Sequence, residues 1–105
     1  MIGLGKWEYS VNTVYFTGTV VLGISDDNGK YKVEVLKIET EDEAPEFVFH
    51  DINEEGNSLI GKGEISLLPG SMLDLSLTFE GDTMTGFLKV PYVGKIKIKD
   101  GKKIG

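Results

Sequence analysis

Cysteine and arginine are absent from this sequence, and histidine occurs only once. Without cysteine, the chain has no means of forming a disulfide framework or a thiolate site, whether catalytic or metal-binding. Because every basic residue is lysine, the chain also lacks the side chain that best holds a carboxylate or phosphate through two parallel hydrogen bonds. The chain is also acidic, with a net charge of −6. A nucleic-acid-binding function is therefore disfavoured, and we expect no nucleic-acid partner.

Long apolar runs are missing as well. No stretch approaches the roughly 20 residues that a membrane-spanning helix needs, and residues 1–6 are too short and too glycine-rich for the apolar region of a signal peptide. We therefore expect a cytoplasmic protein with no membrane partner. Its 105 residues, 40% of them hydrophobic, fit one ordinary domain over residues 1–105.

The acidic charge is unevenly distributed along the chain. Residues 1–56 contain twelve acids and four lysines, a net charge of −8, whereas residues 57–105 contain five acids and seven lysines, a net charge of +2. The acidic run at 39–43 could offer oxygen ligands to a hard cation. It lacks the spaced ligands and the glycine of a calcium loop, so a solvated loop is favoured and we predict no metal site.

The clearest pattern lies in residues 72–90, where apolar and polar residues alternate on both sides of a Gly-Asp turn at 81–82. A period of two marks strands with one buried face and one solvated face, and the Gly-Asp pair favours a hairpin. We predict that the buried face of this hairpin carries Leu73, Leu75, Leu77, Phe79, Met84, Gly86, Leu88 and Val90.

Similar alternation predicts six further strands. The first begins near Trp7, and the second and third flank Asn28-Gly29, the strongest hairpin signal in the chain. The phase of the third strand slips at Leu36, which indicates a β-bulge. For residues 47–52 the pattern does not assign an inward face. Since no stretch shows a helical period and a closed sheet has no bare edges, we predict an all-β fold: a single closed up-and-down antiparallel β-barrel of about eight strands.

Three short motifs carry a family resemblance. Gly-Lys-Trp at 5–7, opening the first strand, is similar to the Gly-x-Trp opening of lipocalins and other calycins. Gly-Asn-Ser-Leu at 56–59 and Gly-Asp-Thr-Met-Thr-Gly at 81–86 resemble the repeated pattern of small bacterial lipocalin-like domains of uncharacterised function. The resemblance implies a closed eight-stranded barrel able to hold a small apolar molecule, with Trp7 as a plug at its closed end. It carries over no ligand-binding residue.

The barrel interior offers the sharpest functional hypothesis. Aromatic and thioether side chains suit an apolar ligand, and the candidate lining consists of Trp7, Phe16, Phe47, Phe49, Phe79 and Met84. The alternative is that these side chains simply fill the barrel, which the narrow interior of small eight-stranded barrels slightly favours. We expect no cofactor, because the single histidine, His50, gives little support for haem or metal ligation and suits a position on a sheet face.

Catalysis is not indicated by any motif. Serine and threonine nucleophiles lack a histidine base at a recognisable spacing, and neither a Gly-x-Ser-x-Gly elbow nor a phosphate-binding loop is present. Tyr15, Val21 and Phe87 are expected to point outward, where they could form a patch for a homodimer or a partner domain. The leading prediction is a non-enzymatic barrel that binds a small apolar ligand. The alternative is a protein-interaction or accessory module with a packed core that acts through its outer surface.

Overall fold

The computed structural model describes residues 1–12, 17–40, 46–66, 70–92 and 94–105. Within these ranges the chain forms eight strands and no helix, so none of the described residues belongs to a helix that could cross a membrane. The all-β class predicted from the alternation is confirmed. The strands are β1 (Gly5–Asn12), β2 (Thr17–Asp27), β3 (Lys30–Glu39), β4 (Phe47–Glu55), β5 (Ser58–Ile65), β6 (Met72–Glu80), β7 (Thr83–Val90) and β8 (Gly94–Lys103).

The strands form one antiparallel sheet that follows the chain as a meander. Its order is β3-β2-β1-β8-β7-β6-β5-β4, so the first and last strands pair and curl the sheet into a barrel. In this pairing Trp7 lies opposite Lys103 and Ser10 opposite Lys99. The barrel is nearly closed, because among the described residues no backbone ladder joins β3 to β4. We call the line along which these two edge strands face each other the seam.

Alternating apolar side chains fill the barrel. On β6, Leu73, Leu75 and Leu77 are at most 1% exposed, which confirms the buried face predicted for this hairpin. Burial of such side chains is the main favourable contribution to folding, at about 25 cal/mol per Å² of apolar surface. The other buried apolar residues are Trp7, Tyr9, Val11, Val20, Leu22, Ile24, Val33, Leu59, Ile65, Phe79, Met84, Leu88, Val90 and Ile98.

A bulge changes the phase of β3, the first of the two strands at the seam. Val35 pairs with Leu22 and Lys37 pairs with Val21, so Leu36 is the extra residue between them. Its side chain is exposed, whereas Val35 before it packs against the core. The bulge predicted at Leu36 is confirmed.

A second bulge lies in β4, the other strand at the seam, where the pairing with β5 shifts around Asp51. Asp51 has a φ of 53°, a left-handed conformation that few residues other than glycine adopt. Phe47 and Phe49 pack against the core before the bulge and Ile52 packs against it after the bulge. The spacing between successive inward-facing residues therefore changes from two positions to three. For this reason the alternation did not assign an inward face to this strand.

The two ends of the barrel differ. The plugged end carries both chain termini and the two-residue turns at 28–29, 56–57 and 81–82. Asn28 and Gly29 have φ values of 53° and 87°, as a type I′ hairpin turn requires. Trp7 closes this end: its ring centroid lies 5.0 Å from that of Phe79, and its indole N–H donates to the carbonyl of Gly3 at 2.8 Å. The opposite end, which we call the loop end, carries the longer connections.

Candidate ligand site at the seam

The seam carries an apolar groove of about 410 Å³. Its two walls are β3 and β4, which have Cα atoms within 8 Å of each other. Because no backbone ladder joins these strands in the described residues, the hydrogen bond that crosses the seam is one between side chains, from Tyr31 to Glu54. The groove is lined by Val35, Leu36, Lys37, Ile38, Glu46, Phe47 and Val48.

A pair of stacked phenylalanines lies on the β4 side of the seam. The ring centroids of Phe47 and Phe49 are 6.0 Å apart with an angle of 13° between the ring planes. Both side chains are half-buried and pack against the core. Gly63 on β5 lies opposite Phe49, and a Cβ atom at this glycine would come within 2.9 Å of the Phe49 ring. The absence of a side chain at Gly63 therefore leaves room for the Phe49 ring to pack against the core.

Tyr31 bridges the seam near the plugged end. Its hydroxyl donates to a carboxylate oxygen of Glu54 on β4 and accepts a hydrogen bond from the backbone N–H of Ile2 at 2.7 Å. Desolvation, together with the hydrogen bond to Glu54, raises the pKa of Tyr31 above its ordinary value. We call this group of three residues the tyrosine clasp. It links the N-terminal segment, β3 and β4 through one phenol oxygen, whereas the groove lies toward the loop end.

The residues proposed as a lining from sequence fall into two groups. Trp7, Phe79 and Met84 lie together in the core at the plugged end, where Met84 pairs with Phe79 across β6 and β7 and all three are buried. None of them borders the seam groove. Phe47 and Phe49 lie at the seam instead. Phe16 lies outside the described residues, so its place in a lining stays a prediction.

Sequence reasoning did not identify the other groove residues. Val35, Ile38 and Val48 are ordinary strand residues in the sequence, and nothing in a period of two distinguishes a strand at a seam from one inside a ladder. The only signal was the loss of regular alternation, at Leu36 and in residues 47–52. Bulges are over-represented at sheet edges, and both strands at the seam carry one, although β8 also has register shifts and is paired on both sides.

Polar groups near the seam do not form a metal site within the described ranges, where no three histidine or acidic side chains lie together. The Nδ1 atom of His50 lies 2.8 Å from a carboxylate oxygen of Asp51, and both side chains are partly solvent-exposed. Of the acidic run considered as a cation ligand, residues 41–43 lie outside the described residues. Whether the acidic run holds a cation is therefore not addressed by the structure, and the absence of a metal site there stays a prediction.

The outward residues proposed as a dimer patch lie on different parts of the wall. Val21 is on β2 and Phe87 is on β7, and β1 and β8 lie between these strands in the sheet. The ammonium group of Lys95 lies 4.4 Å from the centroid of the Phe87 ring and covers it. Tyr15 lies outside the described residues. A homodimer through these three residues stays a prediction.

The fold defines the class of protein as a small up-and-down β-barrel with eight antiparallel strands in the described residues. No family model matches the chain, and comparisons with curated proteins and with solved structures also give no match. The barrel is thus established without a family assignment.

Proposed function

We propose that this protein is a non-enzymatic, lipocalin-like barrel that binds a small, uncharged apolar molecule at the seam. In this proposal the ligand lies in the groove between β3 and β4, with a flat face against Phe47 and Phe49. The resemblance of residues 5–7 to the lipocalin opening supports the lipocalin-like class of this proposal. The groove at the seam is the site that we propose for the ligand. We assign no binding role to the plugged end in this proposal, because Trp7, Phe79 and Met84 are buried there.

The observation that carries the proposal is the half-buried ring of Phe47, which lines the groove and stacks on the ring of Phe49. Aromatic rings that are neither solvated nor fully packed gain free energy when an apolar molecule covers the surface that remains. Val35, Ile38 and Val48 extend the apolar surface along the groove. Small-ligand sites are typically lined by apolar side chains with few polar groups, and Lys37 and Glu46 are the two polar residues among the seven described residues that line the groove.

The polar residues of the groove favour a ligand without charge. Among the described residues that line it, Lys37 is the one basic residue, and its ammonium group lies 2.6 Å from a carboxylate oxygen of Glu39. This contact and its Coulomb attraction raise the pKa of Lys37 and lower that of Glu39. Glu46 is the acidic residue on the opposite wall. Among the described groove residues, therefore, none is an unpaired cation that would hold a carboxylate ligand.

The test is the binding of a neutral solvatochromic dye such as Nile red to the wild-type protein and to two matched variants. We expect Phe49→Ala to weaken dye binding at least tenfold, about 1.4 kcal/mol, because it removes one ring of the pair. Phe87→Ala is the control, since this ring lies on the outer face under Lys95. Circular dichroism establishes that both variants are folded, and Phe47→Ala is a second variant at the same site.

Two results would contradict the proposal. One is a wild-type protein that neither binds the dye nor retains a small molecule in native mass spectrometry after purification from cells. The other is an equal effect of Phe49→Ala and Phe87→Ala on dye affinity.

A second candidate is a protein-interaction or accessory module with a packed core that acts through its outer surface. The observation that favours it is the exposure of large apolar side chains on the outside of the barrel, among them Leu36, Met72 and Ile104. A protein that fails the dye and mass-spectrometry tests but associates with itself or with a partner would support this candidate over the first.

A further inference from the structure

A second apolar surface lies on the outer wall of β2 and shares Leu36 and Lys37 with the seam groove. It consists of Val21 on β2, Leu36 on β3 and Ile104 next to the end of β8, around a groove of about 320 Å³. Leu36 and Ile104 are 47% and 52% exposed, and Val21 is half-buried. We call these three residues the β2 face. Single exposed apolar residues are normal on a protein surface, whereas several that share one groove indicate an interaction surface.

The side chains of the β2 face are held in place by the fold. Leu36 points outward because it is the bulged residue of β3. Its side chain lies over Gly23 of β2, where a Cβ atom would come within 2.8 Å of the leucine. Ile104 is fixed because its N–H donates to the carbonyl of Lys6 at 2.8 Å, and the N–H of Lys6 donates to the carbonyl of Gly105 at 3.1 Å. Both apolar side chains are thus presented by ordered backbone.

The charges around the β2 face balance, unlike those of the whole protein. The groove is bordered by two lysines, Lys6 and Lys37, and by two glutamates, Glu8 and Glu39. This rim therefore has no net charge, whereas the whole chain carries −6. Two copies of an acidic protein repel each other least where their surfaces are neutral. Because Lys37 and Glu39 pair within one copy, Lys6 and Glu8 are the rim charges that a two-fold-related copy can place opposite each other.

We propose that the protein forms a symmetric homodimer in which the β2 face of one copy packs against the β2 face of a second copy. The surface differs from the patch expected from sequence, because it includes Val21 but neither Phe87 nor Tyr15. A strongly charged partner would not suit the neutral rim, and self-association buries the apolar centre of the face on both copies at once. This proposal does not depend on ligand binding at the seam.

The experiment is sedimentation velocity over a concentration series, with wild-type protein and three variants that each exchange an exposed apolar side chain for a charge. Leu36→Glu and Ile104→Glu each place one negative charge per copy, and thus two in the dimer, at the centre of the proposed interface. We expect each variant to raise the dimer dissociation constant at least tenfold. Met72→Glu is the control, since Met72 is exposed to a similar extent, at 49%, but does not border the β2 face. We expect its dissociation constant to equal that of wild type.

Thermal unfolding of each variant separates loss of the dimer from loss of the fold. Ile104→Glu decides the question if Leu36→Glu does not fold, because Ile104 follows the last strand and its side chain lies outside the core. A wild-type protein that is monomeric at every concentration would overturn the proposal. So would a dimer that survives both Leu36→Glu and Ile104→Glu, or one that Met72→Glu disrupts to the same degree.

Discussion

Removal of one oxygen atom from Tyr31 is expected to loosen the seam without changing the core. In Tyr31→Phe the ring remains, while the hydrogen bond to Glu54 and the one from Ile2 are lost. The first joins β3 to β4, and the second ties the N-terminal segment to β3. The variant therefore isolates the contribution of the tyrosine clasp to the edge of the barrel that has no ladder in the described residues.

The magnitude follows from the two hydrogen bonds. A typical hydrogen bond contributes about 0.5–1.5 kcal/mol to stability. Since the clasp is partly exposed, water replaces some of what is lost, and the sum should be about 1–2 kcal/mol. For a domain of this size each kcal/mol lowers the melting temperature by roughly 4–8 °C. We therefore expect Tyr31→Phe to melt roughly 5–15 °C below wild type.

Tyr92→Phe is the matched control, because Tyr92 is 96% exposed and its hydroxyl is free to bond water instead. Circular dichroism gives the melting temperatures, and amide hydrogen exchange detected by NMR reports on β3 and β4 directly. In Tyr31→Phe, the protection of the Ile2 amide and of the β4 amides against hydrogen exchange should fall. Amides in the β6–β7 hairpin should lose only as much protection as the global loss of stability accounts for. If Tyr31→Phe and Tyr92→Phe have the same melting temperature and the same exchange at the seam, the clasp does not hold the edge strands.

Two further outcomes are expected. Leu75→Asp should unfold the domain, since it places a charge where the native side chain is 1% exposed, and we expect a loss of at least about 4 kcal/mol of stability. Ser76→Leu, on the opposite face of the same strand, should keep a cooperative thermal transition. Equal effects of the two substitutions would refute the assigned faces. Burial raises the pKa of the Tyr9 hydroxyl, so the folded state favours the neutral phenol and stability should fall as the pH rises above about 10, the ordinary tyrosine pKa. Urea denaturation at pH 8 and pH 11 should show a smaller loss for Tyr9→Phe than for wild type, and an identical loss in both proteins would show that Tyr9 does not cause it.

Most of the barrel could be predicted because its strands obey one rule. A strand with one face in the core and one in water has a period of two, and Leu73, Leu75 and Leu77 follow that period without a break. The Asn28-Gly29 turn could be predicted for a different reason: both residues have positive φ, and few other residue pairs accept that conformation. Where local chemistry decides the structure, sequence reasoning succeeded.

The seam could not be predicted, since it depends on which distant strands meet. The alternation of β3 and β4 indicates strands but does not say whether they pair with each other. A ladder between them depends on the bulges at Leu36 and Asp51, which alter the direction and twist of each strand. Aspartate accepts the left-handed conformation more readily than most residues other than glycine, but most of the aspartates in the sequence do not adopt it, so the residue type alone did not place a bulge at Asp51.

The candidate site was predicted in part. Phe47 and Phe49 were named as candidate lining residues although the alternation assigned no inward face to residues 47–52, and both pack against the core at the seam. Trp7, Phe79 and Met84 were grouped with them because they share apolar character, although they lie at the plugged end of the barrel. Composition selects residues that can contact an apolar ligand, but the position of a residue along its strand decides which end of the barrel it occupies.

The central claim is that the barrel wall closes between β1 and β8 and stays unpaired between β3 and β4. Cross-strand nuclear Overhauser effects measured by NMR test it directly. We expect backbone contacts between β1 and β8, such as those of Ser10 with Lys99, and no regular series of backbone contacts from Lys30–Glu39 to Phe47–Glu55. A continuous antiparallel series between these two strands would contradict the claim and would remove the seam on which the proposed ligand site depends.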